Sequence, residues 1–194
     1  ACAVPVDNEV PCPPLLAVTA DCENFRNILT WENTDPACSG DIVKYVVYYQ
    51  PPQAENLVPL DSTQLLTYQH SALLSIAGCY AVVAVDSVGN RSIMSDTVCI
   101  DSDVCGTYHL PNTFTPNGDE RNDYFIPFPY TSVEKIELQI FNRWGNLIFE
   151  TDDPDIKWDG KVQGSNQPVS DGVYYYICDV YEITLAGTVK RTLK

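Results

Sequence analysis

The residues best suited to bind an ion lie in one polar loop of the sequence. Asn117, Asp119 and Asp123 supply amide and carboxylate oxygens around Gly118, and Ca²⁺ is bound in proteins by oxygen ligands of this kind. The bidentate Glu that closes an EF-hand loop is missing. Because Asn and Asp also stabilise turns by bonding to the backbone, a structural role is the favoured interpretation and Ca²⁺ binding is the alternative.

The segment that carries these oxygens, residues 110–125, is rich in turn-forming residues. It contains two prolines, one glycine, three asparagines and two aspartates, a composition that disfavours both helix and regular strand. Apolar and aromatic residues stand at both of its ends. The sequence therefore predicts a rigid loop, here named the polar loop, whose ends are anchored in a hydrophobic core.

The rest of the sequence offers little for catalysis. His70 and His109 are the two histidines and stand far apart, and no nucleophile elbow, zinc-protease motif, phosphate loop or dinucleotide fingerprint is present. The formal net charge of −15 argues against binding to nucleic acid or anionic lipid, because both need Lys and Arg. We expect a protein that is not an enzyme, does not bind nucleic acid and, having no long apolar run, does not span a membrane.

An all-β fold is predicted for the first half. Twelve tyrosines against one methionine favour β structure, and seven short apolar runs separated by turn signals predict an antiparallel sandwich. Tyr45, Val47 and Tyr49 alternate with Val46 and Tyr48, so the two sets should face opposite sides of one strand. The seven runs are residues 15–20, 27–31, 43–49, 57–60, 67–74, 79–85 and 93–100.

A second antiparallel sandwich is predicted after the polar loop. Ile136, Leu138 and Ile140 alternate with polar residues, as in a half-buried strand. The predicted strands are residues 133–141, 147–149 and 173–181, followed by a hairpin of residues 181–185 and 188–193 around Ala186-Gly187. The fold class is therefore all-β with two tandem β-sandwiches, preceded by a linker from an upstream domain. The predicted divisions are 1–13 for the linker, 14–106 for the first domain and 107–194 for the second.

Four motifs give the second domain a resemblance to a known family. They are Asn112-x-Phe114-Thr115-Pro116-Asn117-Gly118-Asp119, Ile140-Phe141-Asn142-Arg143-Trp144-Gly145, Trp158-Asp159-Gly160 and Ser170-Asp171-Gly172-Val173-Tyr174. Together they resemble the gliding-motility-associated C-terminal domain, which is the type B sorting domain of the Bacteroidetes type IX secretion system. The resemblance implies export across the outer membrane through the type IX translocon, recognition by a PorP-like β-barrel protein, and a final location at the cell surface or outside the cell.

The resemblance also selects the residues that we expect to contact this partner, together with the C-terminal strands. The set is Asn112, Phe114, Pro116, Asn117, Asp119, Arg143, Trp144 and Gly145. For the Arg143–Trp144 pair, packing inside the domain is the favoured interpretation and partner recognition is the alternative. The family commonly has Gly after Asp119. Glu120 does not easily adopt a positive φ, so we expect the sharp bend elsewhere.

Two expectations concern the ends of the chain. The resemblance implies one further strand after Lys194, and without it a sheet edge would be open to pairing with another chain. The sequence has no initiator Met and no signal peptide, so we expect it to begin inside a larger precursor.

The first domain resembles a fibronectin type III domain. The resemblance is carried by Leu29-Thr30-Trp31, by Tyr45-x-Val47-Tyr48-Tyr49, and by Tyr80-Ala81-Val82-Val83-Ala84-Val85-Asp86 with the Gly89-Asn90-x-Ser92 turn. It implies that Trp31 and Tyr80 are core residues rather than ligand-binding residues.

The eight cysteines favour disulfides over a zinc site, because they lack short ligand spacings. Disulfides imply an oxidising compartment outside the cytoplasm. A turn centred on Gly89 lies ten residues from both Cys79 and Cys99, which predicts that these two pair. The sequence alone leaves many other pairings open.

Two further bridges are predicted on weaker grounds. Cys12 and Cys38 would lie at the same pole of a fibronectin-like domain. Cys105 and Cys178 are the two cysteines nearest to the second domain. Ser87 and Thr97 stand in Asp-Ser-Val and Asp-Thr-Val triplets, which resemble the O-glycosylation acceptor of exported Bacteroidetes proteins.

The sequence thus predicts the C-terminal segment of a large cell-surface protein, of the adhesin or gliding-motility type, which acts as a signal for type IX export and surface attachment. The alternative is a carbohydrate-binding or Ca²⁺-dependent adhesive module.

Overall fold

The computed structural model describes residues 8–194, and its regular secondary structure consists almost wholly of antiparallel strands. The strands are β1 (Pro14–Asp21), β2 (Arg26–Asn33), β3 (Ile42–Gln50), β4 (Val58–Thr63), β5 (Thr67–His70), β6 (Gly78–Asp86), β7 (Val98–Ile100), β8 (Val133–Phe141), β9 (Leu147–Thr151), β10 (Tyr175–Thr184) and β11 (Gly187–Leu193). Two short 3₁₀ helices, Pro36–Cys38 and Ser102–Cys105, complete the regular secondary structure of the described residues. Within these residues, no helix is long and apolar enough to cross a membrane.

The N-terminal half, residues 8–100, is a sandwich of two sheets. One has the order β1-β2-β5 and the other β4-β3-β6-β7. Trp31 and Tyr80 are buried between them, as predicted, together with Tyr45 and Val47 from β3. Tyr45 and Val47, which the alternation in β3 placed on the same face, are therefore both in the core, and the burial of Trp31 and Tyr80 is the one that the resemblance to fibronectin type III domains implied.

Two strands of this half are shorter than predicted: β5 ends at His70 and not at residue 74, and β7 is shortened because serine side chains interrupt its pairing. The predicted strand at residues 93–100 is regular only over Val98–Ile100. Before it, the hydroxyl oxygens of Ser92 and Ser95 accept hydrogen bonds from the backbone N–H groups of Ala84 and Val82. The segment stays attached to β6 through these serines, and its regular pairing begins only after them.

The C-terminal half, residues 108–194, has one regular sheet in the order β11-β10-β8-β9. Ile136, Leu138 and Ile140 of β8 point into its core, as their alternation predicted. The layer opposite the sheet consists of extended segments joined by the isolated bridges Phe125↔Trp158 and Lys161↔Pro168. This layer contains the polar loop, so the loop lies on the core-facing side of the sheet.

The two pairs Cys79–Cys99 and Cys12–Cys38 are bonded as predicted. Cys79 and Cys99 are direct cross-strand partners on β6 and β7. Cys12 falls in the predicted linker, of which residues 1–7, including Cys2, lie outside the described part of the chain.

The predicted Cys105–Cys178 bridge is wrong. Cys105 is bonded to Cys22, which follows β1. Cys178 lies in the middle of β10 with its side chain turned into the core, where it is fully buried and unbonded. Burial raises the pKa of the Cys178 thiol to about 12, so the thiol is neutral and behaves as a small apolar core residue.

Candidate recognition surface

The polar loop is anchored by aromatic residues at both ends, as the sequence predicted. The ring centroids of Phe114 and Phe125 lie 5.1 and 6.5 Å from that of Trp158. Trp158 is 3% exposed, and its indole N–H donates to the backbone carbonyl of Lys161 at 2.8 Å. The loop therefore cannot shift without disturbing the hydrophobic core of the C-terminal half.

The two aspartates of the loop accept hydrogen bonds from the loop's own backbone. The two carboxylate oxygens of Asp123 accept from the N–H groups of Gly118 at 2.6 Å and Glu120 at 2.7 Å. Asp119 accepts from the N–H of Arg121 at 2.9 Å, and Asn117 Oδ1 accepts from the N–H of Asp119 at 3.1 Å. These bonds are the turn-stabilising kind that Asn and Asp form with nearby backbone.

The same arrangement can be compared with the needs of a Ca²⁺ ion. Such an ion takes six to eight oxygen ligands, whereas the second carboxylate oxygen of Asp119 accepts from the Asn117 amide at 3.1 Å. Within residues 8–194, no group of three or more His, Cys, Asp or Glu side chains is arranged to hold a metal. Binding at Asn117, Asp119 and Asp123 would therefore have to replace hydrogen bonds that already shape the loop.

The sharp bend of the loop falls at Glu120, contrary to the expectation that it would lie elsewhere. Glu120 has φ +65° and Asn122 has φ +52°, alongside Gly118 at +79°. The Glu120 N–H is held by Asp123, and the N–H of Thr115 donates to the carbonyl of Asn122 at 2.8 Å to close the loop. These bonds offset the cost of the left-handed conformation at a residue that has a Cβ.

The Trp158-Asp159-Gly160 motif contacts Pro116 of the polar loop. Gly160 has φ +75°, and a Cβ built there would lie 2.8 Å from Cγ of Pro116. The Trp158-Asp159-Gly160 turn and the polar loop are therefore packed against each other. Beside them Lys161 donates to Asp159 at 2.6 Å, and this hydrogen bond lowers the pKa of the Asp159 carboxyl.

The second predicted contact region is the hairpin turn between β8 and β9. Asn142 Oδ1 accepts from the backbone N–H groups of Trp144 and Asn146, both at 3.0 Å, and Gly145 adopts φ +80°. Trp144 is 68% exposed, with the Arg143 guanidinium carbon 4.3 Å from its ring centroid. The favoured expectation of internal packing is wrong, because the turn projects beyond the end of the sheet.

An apolar row continues from this turn across the outer face of the sheet. Leu147, Phe141 and Tyr175 are successive cross-strand partners on β9, β8 and β10. Leu147 and Tyr175 are exposed, and Ile177 follows Tyr175 on the same face. The sequence suggested these strands, but the row appears only when their register is known. We name Trp144, Leu147, Phe141 and Tyr175 the aromatic end of the sheet.

The predicted partner-binding residues form two groups. Asn112, Pro116, Asn117 and Asp119 are exposed on the polar loop, whose anchoring contacts run to Trp158 and Gly160. Arg143, Trp144 and Gly145 belong to the hairpin turn, whose hydrogen bonds stay within residues 142–146. Phe114 is half-buried and anchors the loop, so it is a poor candidate for direct contact with a partner.

The two candidate glycosylation residues are accessible. Ser87 and Thr97 are both exposed. The aspartate of the first triplet, Asp86, is buried and accepts from the N–H groups of Val88 and Gly89 at 3.0 and 2.7 Å. Asp86 is therefore part of the turn and is not free to contact another molecule.

The C-terminal half is thus an all-β module with an anchored polar loop and an exposed aromatic hairpin turn. Residues 108–190 match the family model of the CHU_C type IX secretion signal domain. The match confirms the resemblance that was drawn from the four sequence motifs.

The comparisons with curated proteins and with solved structures give no match and distant matches, respectively. A comparison with curated proteins found no match. Among solved structures, the chain is similar to titin kinase and its flanking domains, with 23% identity over 46% of this chain and 17% of that chain and a TM-score of 0.38. It is also similar to the central fibronectin-III array of RIM-binding protein, with 11% identity over 97% and 69% of the two chains and a TM-score of 0.36. These superpositions are too distant to support an argument, so the fold is assigned from its own strand pairing.

Proposed function

We propose that residues 107–194 act as the signal that directs a larger protein through the type IX secretion system. The observation that carries this proposal is the family match over residues 108–190. A type IX secretion signal implies export to the cell surface or the extracellular space. On this proposal residues 14–106 form a fibronectin-like module before the signal, and both belong to a large surface protein of the adhesin or gliding-motility type.

We place the main contact with the secretion machinery at the aromatic end of the sheet. Trp144 is 68% exposed and Tyr175 is 62% exposed, and exposed aromatic residues beside an Arg are frequent centres of binding energy in protein interfaces. The proposed partners are the type IX translocon and a PorP-like outer-membrane β-barrel protein. The exposed residues of the polar loop, Asn112, Pro116, Asn117 and Asp119, would supply a second, polar contact.

Nothing in this proposal requires catalysis. The secretion-signal match describes a targeting element, and recognition needs only a stable surface. Likewise, Ca²⁺ is not needed for the proposed role, although binding at Asn117, Asp119 and Asp123 stays an open alternative that calcium removal can test.

The test is an export assay with the complete chain fused behind a fluorescent protein in a bacterium that has a type IX secretion system. We expect the reporter at the cell surface or in the medium. Arg143→Ala/Trp144→Ala should leave the reporter in the periplasm. The control is Arg91→Ala/Ile93→Ala, which removes an exposed cation and an exposed apolar residue from the N-terminal half and should export normally. Normal export of a folded R143A/W144A fusion would contradict the assigned contact. A wild-type fusion that stays in the periplasm would contradict the signal itself.

A second candidate function rests on the same exposed rings. Trp144 and Tyr175 could stack against sugar rings, which would make the chain a carbohydrate-binding adhesive module. Retention of the purified protein on insoluble polysaccharide, lost on Trp144→Ala, is the expected result for such a module. Wild-type protein that elutes from the polysaccharide together with the variant would exclude it.

A further inference from the structure

The connector between the two halves of the molecule is bonded to the N-terminal half by a disulfide that could not be foreseen from the sequence. Cys22 lies in the turn between β1 and β2, and Cys105 ends the 3₁₀ helix Ser102–Cys105 in the connector that follows β7. The bond spans 83 residues of sequence. It attaches the connector to the turn after β1, which belongs to the other sheet of the N-terminal half than β7, the strand from which the connector emerges.

The other side of the connector is attached to the C-terminal half. One carboxylate oxygen of Asp101 accepts from the N–H of Ser102 at 2.7 Å, and the same oxygen accepts from the N–H of Leu185 at 3.1 Å. Leu185 lies in the turn between β10 and β11. The connector therefore touches both halves, through a covalent bond on one side and a hydrogen bond on the other.

A buried polar contact joins the halves directly. The Ser75 hydroxyl lies 3.0 Å from the Ser132 hydroxyl and 3.1 Å from the carbonyl of Ile183. The N–H of Ile183 donates to the carbonyl of Ser132 at 2.7 Å. Ser75 and Ser132 are buried, and Ser132 has φ +61°. A left-handed serine persists only where its surroundings fix it, so this contact has a defined geometry.

The apolar cores of the two halves are separate. The buried cluster of the N-terminal half comes from residues 16–84 and that of the C-terminal half from residues 108–180, with no shared member. Beside Cys22, Phe25 faces residues 126–130 across an open groove of about 530 Å³. Domains that share only a small polar interface normally move relative to each other.

We infer that Cys22–Cys105 closes this junction and makes the two halves one rigid body. Without the bond, the remaining polar contacts are the serine contact, the Asp101 hydrogen bond and the hydrogen bond from the Gln53 amide to the Thr188 hydroxyl at 3.4 Å. Water can replace these contacts, and the C-terminal half is then free to reorient about residues 101–107. The bond thus sets the orientation in which the C-terminal half is presented. This inference does not rest on the proposed function.

The experiment compares Cys22→Ser/Cys105→Ser with Cys79→Ser/Cys99→Ser, whose bond lies wholly within the N-terminal half. Backbone ¹⁵N relaxation gives a rotational correlation time for each half separately. The wild type and the Cys79/Cys99 variant should show one common time. The Cys22/Cys105 variant should show shorter, unequal times for the two halves, with faster proteolysis between residues 101 and 107.

A common correlation time in a folded Cys22/Cys105 variant, equal to that of the wild type, would overturn the inference. If the serine variant does not fold, Cys22→Ala/Cys105→Ala removes the same bond without adding hydroxyl groups, and the same readout applies. Failure of both variants to fold would also overturn the inference, because the bond would then be required for folding and not for joining two folded halves.

Discussion

The polar loop and the β8–β9 hairpin turn use the same residue types for opposite purposes. In both, an Asn or Asp side chain accepts two backbone N–H groups, at Asp123 in the loop and at Asn142 in the turn. The tryptophan beside the loop, Trp158, is 3% exposed, whereas Trp144 in the turn is 68% exposed. The hydrogen bonds of these Asn and Asp side chains therefore determine only the local backbone conformation. The position of the turn relative to the sheet determines whether its aromatic residue stabilises the core or faces a partner.

The comparison is tested most strongly by removing each tryptophan. Trp158→Ala should lower the free energy of unfolding by about 3–5 kcal/mol, because it deletes a buried ring that anchors both ends of the loop. Trp144→Ala should change it by no more than about 0.5 kcal/mol, as for most exposed residues. Urea unfolding followed by circular dichroism measures both values. Equal losses in the two variants would contradict the division into an anchored site and an exposed site.

Gly160→Ala tests whether the loop rests on the Trp158-Asp159-Gly160 turn. The added Cβ would lie 2.8 Å from Pro116, and alanine is also strained at φ +75°. We expect the two effects together to lower the free energy of unfolding by about 2–4 kcal/mol.

Gly164→Ala is a matched control for this change. Gly164 also has φ +75°, but no heavy atom lies within 4 Å of a Cβ built there. Gly164→Ala should therefore lower the free energy of unfolding by the cost of the backbone strain alone, about 1–2 kcal/mol. The difference between the two variants in urea unfolding is the contribution of the contact with Pro116, and no difference would mean that the loop does not rest on this turn.

Asp123→Ala separates the structural role of the loop from the calcium alternative. Loss of the two backbone hydrogen bonds should cost about 1 kcal/mol, as for the loss of a helix N-cap. Asp171→Ala, an exposed aspartate in another Asp-Gly turn, is the control. If the loop is held by its own hydrogen bonds, EGTA should leave the melting temperature of the wild type unchanged. A melting temperature that falls with EGTA in the wild type, but not in D123A, would establish a structural cation.

The core was predictable from single residues and local periodicity. Trp31, Tyr80 and the alternating positions of β8 were placed correctly because large apolar residues have few alternatives to burial. The Cys79–Cys99 pair followed from the geometry of a hairpin. The Cys105–Cys178 prediction was wrong because it relied on nearness along the sequence, and the partner of Cys105 comes from a turn 83 residues away.

The surface was harder to predict because it depends on register and on the shape of turns. The row of Leu147, Phe141 and Tyr175 needs three strands in the correct alignment, which no local pattern specifies. The exposure of Trp144 depends on how far the hairpin extends beyond the sheet. A tryptophan in a turn has the same local sequence whether it is buried or exposed, so the sequence left both interpretations open.

The smallest expected effect concerns the bend at Glu120, and it has the opposite sign to the others. At φ +65° the Cβ of Glu120 costs about 1–2 kcal/mol, while glycine loses about 0.5–1 kcal/mol more chain entropy on folding. Glu120→Gly should therefore stabilise the protein by about 0.5–1 kcal/mol, a rise in melting temperature of about 1–4 °C for a chain of this size.

Arg121→Gly is the control for this last change, since Arg121 is not among the described residues with positive φ. Arg121→Gly relieves no backbone strain and should therefore lower the melting temperature. The sign of the change in melting temperature is decisive. If E120G also melts earlier than the wild type, the hydrogen bonds accepted by the Asp123 carboxylate and by the Asn122 carbonyl do not hold Glu120 in a strained conformation. The polar loop would then be as adaptable as the exposed hairpin turn, and the contrast between the two regions would rest on Trp158 and Trp144 alone.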